Sequence, residues 1–346
     1  MKRKTKLILW LIIIFIFAAL ALIANNFYGV FFRANIELND KEFVIIYIPT
    51  GSDFDQVCEI LSNDGGLMSV EQFRFTSKQK GYIDNVKPGR YKIRNHFSNS
   101  SLVNMLRAGN QEPLNLTFNN VRTMNDLAEK LSKQLEFSTD SILKVLKNDS
   151  IAKSYGFTPE EFPVMFIPNT YQVLWNISPE KFTDRMHREY STFWSDERIN
   201  LAAEINLTPI QVSILASIVI SETTKKDEMS KVAGVYINRL NRGMKLEADP
   251  TVKFAIGDFE LKRILFRHLE FDSPYNTYLY PGLPPGPIYL PDGHAIDAVL
   301  NYEKHGFIFM CAKDDFSGYH AFAKTNAEHQ RNAQRYHAAL NRAKIR

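Results

Sequence analysis

Glu222 is the side chain in this sequence best placed to do acid–base chemistry. It follows Ile218 by four residues and Val219 by three, so it shares a helical face otherwise built for burial. Partial burial raises the pKa of a carboxyl group and lets it carry a proton at neutral pH, as a general acid must. The alternative is a solvated glutamate near a helix end, paired with Lys225 or Lys226.

The helix that must position this acid has a clear start signal. Thr208 can cap it, Pro209 suits the first helical position, and Gln211 completes a capping box. Val212 and Leu215 then begin the apolar face that continues to the acid. The pattern predicts a helix with one apolar face that ends near the glutamate.

A second helix and a loop are predicted next. Asp227 can cap a helix over residues 229–240, which Gly243 closes. Because the residue before a proline is disfavoured in a helix, the stretch ADPTV predicts a loop that holds Asp249 and Thr251. Polar groups in such a loop can meet a ligand, although Asp249 can equally structure the turn.

The stretch SPYNTYLYPGLPPGPI, residues 273–288, is too rich in proline and glycine for a helix or a central strand. A rigid loop that presents Tyr275, Asn276 and Tyr278 suits sugar recognition, because flat rings stack on pyranose faces and an amide both donates and accepts. On these residues alone, a packed surface loop is the alternative.

No metal, cofactor or nucleic acid is expected. The five histidines from His294 onward are a residue type that zinc prefers, but the spacing of His320 and His329 matches neither an i,i+4 pair nor a zinc finger. The sequence has no glycine-rich phosphate loop, nucleophile elbow or Cys-x-x-Cys motif. Cys58 and Cys311 lie far apart in apolar stretches, which favours buried free thiols. The net charge of +4 is mild and leaves no basic stripe for nucleic acid.

Several ordered blocks resemble a known family. The stretch ASIVISETTKKDEMSKVAGVYINRLNRGMKLEADPTV, followed by SPYNTYLYPGLPPGPI, resembles the YceG/MltG family of membrane-anchored endolytic murein transglycosylases. The resemblance runs from about Glu42 to the C-terminus and is densest between Ala216 and Ile288. Members commonly carry a pattern like E-x-E-T. Here Ile220 stands at the first acid, and Glu222 matches the second, the family's catalytic glutamate.

Two further blocks also resemble the family. The closing block GYHAFAKTNAEHQ contains His320, which the resemblance places among the substrate-binding residues. In the block MFIPNTYQV, Asn169 stands where the family usually has an acid, so no charged role is expected for it. Tyr171 in the same block is expected to pack rather than to line a cleft.

The resemblance implies cleavage of peptidoglycan within the strand, between N-acetylmuramic acid and N-acetylglucosamine, leaving a 1,6-anhydro end. Such trimming limits strand length, and its usual setting is beside peptidoglycan synthases at the inner membrane. An ordinary glycosidase needs two carboxylates across the bond, whereas a lytic transglycosylase manages with one. The acid protonates the glycosidic oxygen, and its carboxylate then accepts the proton of the substrate's own C6 hydroxyl as that oxygen attacks C1. The expected substrate-binding residues are Asn276, Tyr278, Tyr275, Asp249, Thr251 and His320.

Two functions of other classes stay open. One is a non-catalytic, membrane-anchored scaffold that binds peptidoglycan, in which Glu222 is structural. The other is a zinc-dependent wall hydrolase or amidase, which insensitivity to chelators would remove.

The N-terminal segment predicts a membrane anchor. Residues 7–24 are 18 uninterrupted apolar residues, and four basic residues precede them. This charge pattern keeps the N-terminus in the cytoplasm and places the rest of the chain outside, at the inner membrane. The alternative is a cleaved signal peptide, for which the stretch Ala19-Leu20-Ala21 is a passable cleavage site. Aromatic residues that follow, such as Phe27 and Tyr28, suit interfacial anchoring and favour a retained helix.

The remaining chain predicts an α+β fold in three parts after an anchor over residues 1–33. A strand over 43–48, two helices and a strand over 89–93 predict a small LysM-like βααβ module within residues 34–110, either glycan-binding or a spacer. Residues 111–160 are predicted to be connecting α+β structure, and residues 161–346 the larger α+β catalytic domain.

Overall fold

The computed structural model describes residues 2–261 and 264–343. The chain forms two compact units, the first from Met1–Asn115 with Gln172–Ile177 and the second from Leu116–Tyr171 with Ser178–Arg346. Helices and strands are mixed throughout, so the predicted α+β class is confirmed. The predicted anchor includes residue 1, and the predicted catalytic domain includes residues 262–263 and 344–346, all of which lie outside the described residues. The side chains of Lys2, Lys4 and Thr5 lie outside the description as well.

The first unit has the predicted order of strand, helix, helix, strand. Strands β1 and β2 pair antiparallel, with Phe43 opposite Arg94 and Ile48 opposite Gly89. The inward-facing residues of this pair, including Ile46, pack against the helices in one hydrophobic core. The elements of this unit are α1 (Lys2–Phe32), β1 (Phe43–Ile48), α2 (Phe54–Asn63), α3 (Val70–Gln79), β2 (Gly89–Arg94) and α4 (Asn99–Ala108).

Helix α1 carries the predicted anchor. Its 31 residues give a length of about 46 Å. Of the helices in the described ranges, its segment Lys6–Phe32 alone is both long and apolar enough to cross a membrane unbroken, by length and composition. Its last turns pack on the first unit, with the Phe75 ring 5.7 Å from that of Phe27, and Asn99 Nδ2 donating to the Val30 carbonyl at 2.8 Å. This helix is compatible with a single-pass membrane anchor.

The remaining elements follow along the chain, and all but parts of β3 and β4 belong to the second unit. Strands β3 and β4 pair with each other, and β5 and β6 pair antiparallel with Ala312 opposite His320. A short 3-10 turn at Phe162–Met165 precedes β4. These elements are β3 (Leu114–Phe118), α5 (Met124–Ser132), α6 (Thr139–Leu146), α7 (Asp149–Ser154), β4 (Asn169–Val173), α8 (Pro179–Phe193), α9 (Asp196–Glu204), α10 (Pro209–Glu222), α11 (Met229–Asn241), α12 (Asp249–Ile256), α13 (Phe266–Leu269), α14 (Gly293–Leu300), β5 (Phe309–Ala312), β6 (His320–Ala323) and α15 (Asn326–Arg342).

Helix α10 is the centre of the second unit. It begins as predicted, with Thr208 and Gln211 in a reciprocal capping box and Pro209 in the first turn. Every residue from 212 to 219 is buried, because α9, α11, α12 and α14 surround the helix. The prediction of a single apolar face is therefore too narrow, since the helix is buried on all sides between its two ends. Its last turn, which is partly buried, carries Glu222.

Two local predictions are wrong. Asp249 and Thr251 lie in the first turn of α12 rather than in a loop, because Pro250 occupies a first-turn position where its missing N–H costs nothing. Asp227 does not cap α11. The N-cap residue is Glu228, and Asp227 instead accepts a hydrogen bond from the Tyr319 hydroxyl at 3.0 Å.

Candidate active site

Glu222 lines a cleft of about 650 Å³ in the second unit. Its lining residues come from the end of α10, from α11 and the start of α12, and from β5, the start of β6 and α15. The polar and charged residues that line it are Glu222, Tyr236, Arg239, Glu247, Asp249, Tyr278, His320, Asn326, His329, Gln330, Tyr336 and His337. Its mixture of carboxylates, hydroxyls, imidazoles and rings is suited to a polar, ring-shaped ligand.

The Glu222 carboxyl group is held in a tightly packed position at the edge of the core. Tyr236, which is 2% exposed, donates its hydroxyl to Glu222 Oε1 at 2.7 Å. Burial raises the pKa of Glu222 to about 7, with a smaller contribution from the Asp249 charge and an opposing one from the Tyr236 hydrogen bond. A substantial fraction of these groups is therefore protonated at neutral pH, as a general acid requires.

Within residues 2–261 and 264–343, no ion pair joins Glu222 to either neighbouring lysine. Lys225 lies over the Tyr319 ring, with its Nζ 5.1 Å from the ring centroid. The solvated, paired glutamate considered above is not what the structure shows.

Asp249 and Tyr278 face the same cleft as a pair. The Tyr278 hydroxyl donates to Asp249 Oδ1 at 2.7 Å, and burial raises the pKa of Tyr278 well above its ordinary value. Asp249 itself is exposed. The cleft therefore contains a second carboxylate, in a wetter position than Glu222.

Thr251 and Asn276 lie behind the cleft wall, and each is 0% exposed. Asn276 Nδ2 donates to the carbonyls of Leu269 and Phe271, and its Oδ1 accepts from the Tyr278 amide at 3.0 Å. Its whole amide is thus used within the protein. It fixes the loop that presents the Tyr278 ring.

Thr251 joins the start of α12 to the same loop. Its hydroxyl bonds the Ala248 carbonyl at 2.6 Å and the Thr277 hydroxyl at 2.8 Å. The Thr277 hydroxyl in turn accepts from the Ala248 amide at 3.0 Å. This network fixes the positions of Asp249 and Tyr278 relative to each other.

Tyr275 also packs behind the cleft, with its ring 4.8 Å from that of Phe254. A Cβ at Gly286 would clash with Tyr275 Oη and with the Glu160 carbonyl, so this chain crossing requires glycine. Of the six residues expected to bind substrate, the structure brings Tyr278, Asp249 and His320 to the cleft with Glu222, whereas Asn276, Thr251 and Tyr275 support the wall.

His320 is the first residue of β6 and is held by Glu228, which is 5% exposed. Glu228 Oε2 lies 2.8 Å from His320 Nδ1, and Glu228 Oε1 accepts from the His320 backbone amide at 2.7 Å. Thr223, the residue after Glu222, also donates its hydroxyl to Glu228 Oε2 at 3.2 Å. Sequence reasoning missed Glu228, because 92 residues separate it from its partner.

Tyr171 packs as expected. It is 6% exposed, its hydroxyl bonds the Ile167 carbonyl, and its ring stacks on Phe118.

Other cleft residues were also not predicted. Arg239 is buried, donates to the Ile308 carbonyl at 3.0 Å, and forms an ion pair with Glu247. His329 stacks on Phe309 with ring centroids 5.2 Å apart, and burial lowers its pKa. The available signal was that Tyr236 and Arg239 interrupt an otherwise apolar face of α11.

Metal binding has no evident site in the part of the chain that the structure describes. No three histidine, cysteine, aspartate or glutamate side chains come together there as a metal site requires. Cys58 is buried and Cys311 half-buried, both as free thiols.

The sequence matches the YceG-like family over residues 46–335. It is 25% identical over 333 residues to the endolytic murein transglycosylase of Bacillus subtilis (strain 168), covering 91% of this chain and 90% of that protein. It is 28% identical over 341 residues to the endolytic murein transglycosylase of Streptococcus pneumoniae (strain D39), covering 88% of this chain but only 61% of that longer protein.

A solved structure of a YceG-like protein is also similar to this chain. The crystal structure of a yceG-like protein from Listeria monocytogenes aligns with a TM-score of 0.56 at 26% identity, covering 84% of this chain and 99% of that chain. Since the family match spans well over half of the sequence, this chain belongs to the YceG-like family.

Proposed function

We propose that this chain is an endolytic lytic transglycosylase that cleaves peptidoglycan, with Glu222 as its acid. The relatives named as endolytic murein transglycosylases support the substrate class and the type of cut. The observation that carries the proposal is the Glu222 carboxyl group itself, half in the core and half in a cleft, with a pKa raised to about 7 by burial.

One acid, Glu222, carries both proton transfers of the proposed reaction. Glu222 gives its proton to the oxygen between N-acetylmuramic acid and N-acetylglucosamine, and the bond from that oxygen to C1 breaks. The C6 hydroxyl oxygen of the same muramic acid then bonds to C1, and its proton passes to the Glu222 carboxylate, which is thereby reset. Because the nucleophile is tethered to the reacting sugar, no activated water is needed.

The residues of the cleft have different roles in this reaction. Tyr236 occupies Glu222 Oε1, and no partner for Oε2 is found within the described residues, so Oε2 is the atom left for the substrate. Tyr278, Asp249 and His320 contact the sugar from the facing walls. Asn276, Thr251 and Tyr275 act by holding that wall.

The product identifies the reaction. Cleavage of purified glycan strands in ¹⁸O-labelled water should leave new muramic acid ends that are unlabelled and lighter by one water than reducing ends. Glu222→Gln should keep the fold and lose about 10² to 10⁴ in rate, because the amide cannot supply the proton.

Three outcomes would contradict the proposal in different ways. Labelled reducing ends from the wild-type chain would make water the nucleophile, with Asp249 the first candidate base. A folded Glu222→Gln chain that keeps more than about a tenth of the rate would remove Glu222 as the acid. Strand binding with no cleavage by the wild-type chain would favour the scaffold.

Membrane placement completes the proposal. The apolar helix α1 would hold the chain in the inner membrane as a single-pass anchor, with its N-terminus in the cytoplasm and the chain after residue 33 outside. There the enzyme would trim nascent strands beside peptidoglycan synthases and so limit strand length.

Residues 34–110 of the first unit would act as a LysM-like module, because their strand–helix–helix–strand order fits one. The proposed functional division is an anchor to residue 33, this module over 34–110, a connecting region over 111–160 and the catalytic domain over 161–346. Co-sedimentation of the full chain in detergent with insoluble peptidoglycan measures total glycan binding once Glu222→Gln has removed turnover. Binding that persists when Tyr278→Ala is added to weaken the cleft supports the module, and binding that is lost with Tyr278→Ala assigns it to the cleft.

A further inference from the structure

We propose that Glu228 is a positioning residue that fixes His320 as its Nδ1–H tautomer, so that Nε2 faces the cleft as a hydrogen-bond acceptor for the attacking sugar hydroxyl. The proposal rests on the transglycosylase function proposed above, and it adds a task that Glu222 does not perform. Its basis is a buried carboxylate that the mechanism so far leaves unused.

A carboxylate as buried as Glu228 is costly unless donors satisfy it. Three donors converge on it: the His320 backbone amide on Oε1, and the His320 Nδ1 and Thr223 hydroxyl on Oε2. Within residues 2–261 and 264–343 its one ion-pair partner is the His320 imidazole, whose side chain is 14% exposed. The site is therefore built around the histidine.

The position of Glu228 links the two sides of the cleft. Thr223 follows Glu222 directly and ends α10, Glu228 precedes the first residue of α11, and His320 begins β6. One carboxylate thus ties the end of the acid's helix to the strand that faces it. A shift of the imidazole would be transmitted to the acid's own helix end.

The tautomer follows from the chemistry of the pair. An ionised carboxylate only accepts hydrogen bonds, so a neutral His320 must carry its hydrogen on Nδ1. Nε2 then presents a lone pair, and no protein partner for Nε2 is found in the part of the chain that the structure describes. Since His320 lines the cleft, that lone pair is available to a ligand there.

The reaction needs such an acceptor. Before the bond breaks, Glu222 Oε2 holds the proton meant for the leaving oxygen, and Oε1 is already occupied by Tyr236. Neither atom can then orient the C6 hydroxyl, which must direct its hydrogen away from C1. Once the leaving oxygen has taken the Glu222 proton, Oε2 is free, and the C6 proton moves from its hydrogen bond with His320 to Oε2 as the C6 oxygen bonds to C1. Asp249 also lines the cleft and can accept a hydrogen bond, but it is exposed and water competes for it. The His320 side chain is only 14% exposed, and the residue is held by two bonds to one carboxylate, through its backbone amide and Nδ1.

Glu228→Gln tests the assignment, because a glutamine keeps the shape but can donate its amide N–H to Nδ1. We expect the folded variant to show the Nε2–H tautomer of His320 in ¹⁵N NMR of the imidazole at about pH 8, where an ordinary imidazole is neutral. The kcat on glycan strands should fall about 10- to 100-fold while KM changes little, because a misoriented nucleophile affects the reacting state. The matched control is Glu303→Gln, an exposed carboxylate 3.8 Å from Lys231, which should alter neither quantity.

An Nδ1–H tautomer retained in Glu228→Gln, or an unchanged kcat in a variant whose tautomer has inverted, would overturn the proposal. If the variant does not fold, the wild-type spectrum decides: an Nδ1–H imidazole supports the assignment and an Nε2–H imidazole refutes it. The NMR result does not depend on turnover. A wild-type chain without transglycosylase activity would therefore contradict the proposed function, while the tautomer of His320 would still test the Glu228–His320 pair separately.

Discussion

At the scale of single residues, Glu222 differs from other acids because its surroundings penalise the charged form. Its pKa is raised to about 7, chiefly by burial. A general acid must enter the reaction protonated, so kcat/KM on glycan strands should fall as the pH rises through about 7, by about tenfold per pH unit. A pH–rate profile of the full chain in detergent measures this limb, and a flat profile between about pH 6 and 9 would contradict the role.

Tyr236 influences the pH at which kcat/KM begins to fall. Its hydroxyl hydrogen bond to Glu222 Oε1 lowers the pKa of the acid, against the larger effect of burial. Tyr236→Phe should therefore raise the pKa further and move the limb to higher pH by roughly one unit. Tyr171→Phe is the control, since it removes another buried hydroxyl, whose partner among the described residues is the Ile167 carbonyl. Equal shifts in both variants would rule out a specific effect of Tyr236.

The same raised pKa has a consequence for stability. The pKa of Glu222 is about 7 in the folded chain against an ordinary value of 4.5, so the folded chain binds more protons than the unfolded chain between these values. Stability is therefore lost as the pH rises through this window, by up to about 3 kcal/mol. Glu222→Gln, which cannot ionise, should melt at a higher temperature than wild type above about pH 7 and at a similar one near pH 4. A variant that is less stable at about pH 8 would argue against the raised pKa.

At the scale of elements, α12 depends on one hydroxyl to stay aligned with the Tyr278 loop. Thr251→Val keeps the shape but removes the bonds to the Ala248 carbonyl and the Thr277 hydroxyl, both in a buried site. We expect a loss of about 1–3 kcal/mol in the free energy of unfolding and a lower cleavage rate, because Asp249 and Tyr278 lose their register. Thr251→Ser, which retains the hydroxyl, should lose less of both. A Thr251→Val chain with wild-type stability and rate would show that the network is dispensable.

Sequence signals predicted the ends of helices correctly where the structure there depends on residues close together in the chain. The Thr208–Gln211 capping box and the end of α11 at Gly243 were predicted correctly, because a cap is set by residues three or four positions apart. The loop predicted at Asp249 was wrong, because the rule for residues before proline ignores that a first turn tolerates proline. Contacts between residues far apart in the chain, such as Glu228 with His320, cannot be predicted from the spacing of residues in the sequence.

At the scale of the whole molecule, the strongest sequence feature is the apolar helix α1. The full chain should stay in the membrane pellet after alkaline carbonate extraction, because burying about 20 apolar residues in lipid is effectively irreversible. Ile13→Lys with Phe17→Lys should weaken this retention, since charges at the bilayer centre are costly. A soluble chain with a new N-terminus near Asn25 would show instead that the segment is a cleaved signal peptide.

The cleft could be predicted only in part at this scale. The anomaly of one acid on an apolar face pointed to Glu222, and the cleft geometry places Tyr278 and Asp249 beside it. The buried positions of Asn276 and Thr251 were not predictable, because a polar residue in a turn-rich loop looks the same whether it faces ligand or backbone carbonyls. Burial is a property of the assembled core, and no short stretch encodes it.

The enclosure of α10 has a kinetic consequence. Backbone amides between residues 212 and 219 can exchange their hydrogens with solvent only when the surrounding helices open together. Hydrogen–deuterium exchange should therefore be slowest in this helix and rise sharply over the few residues that follow Glu222. Glu222 lies at the end of the protected segment. The local unfolding that lets the α10 amides exchange therefore also disrupts the active site. Across destabilising variants of the core, inactivation and α10 exchange should follow a single opening free energy.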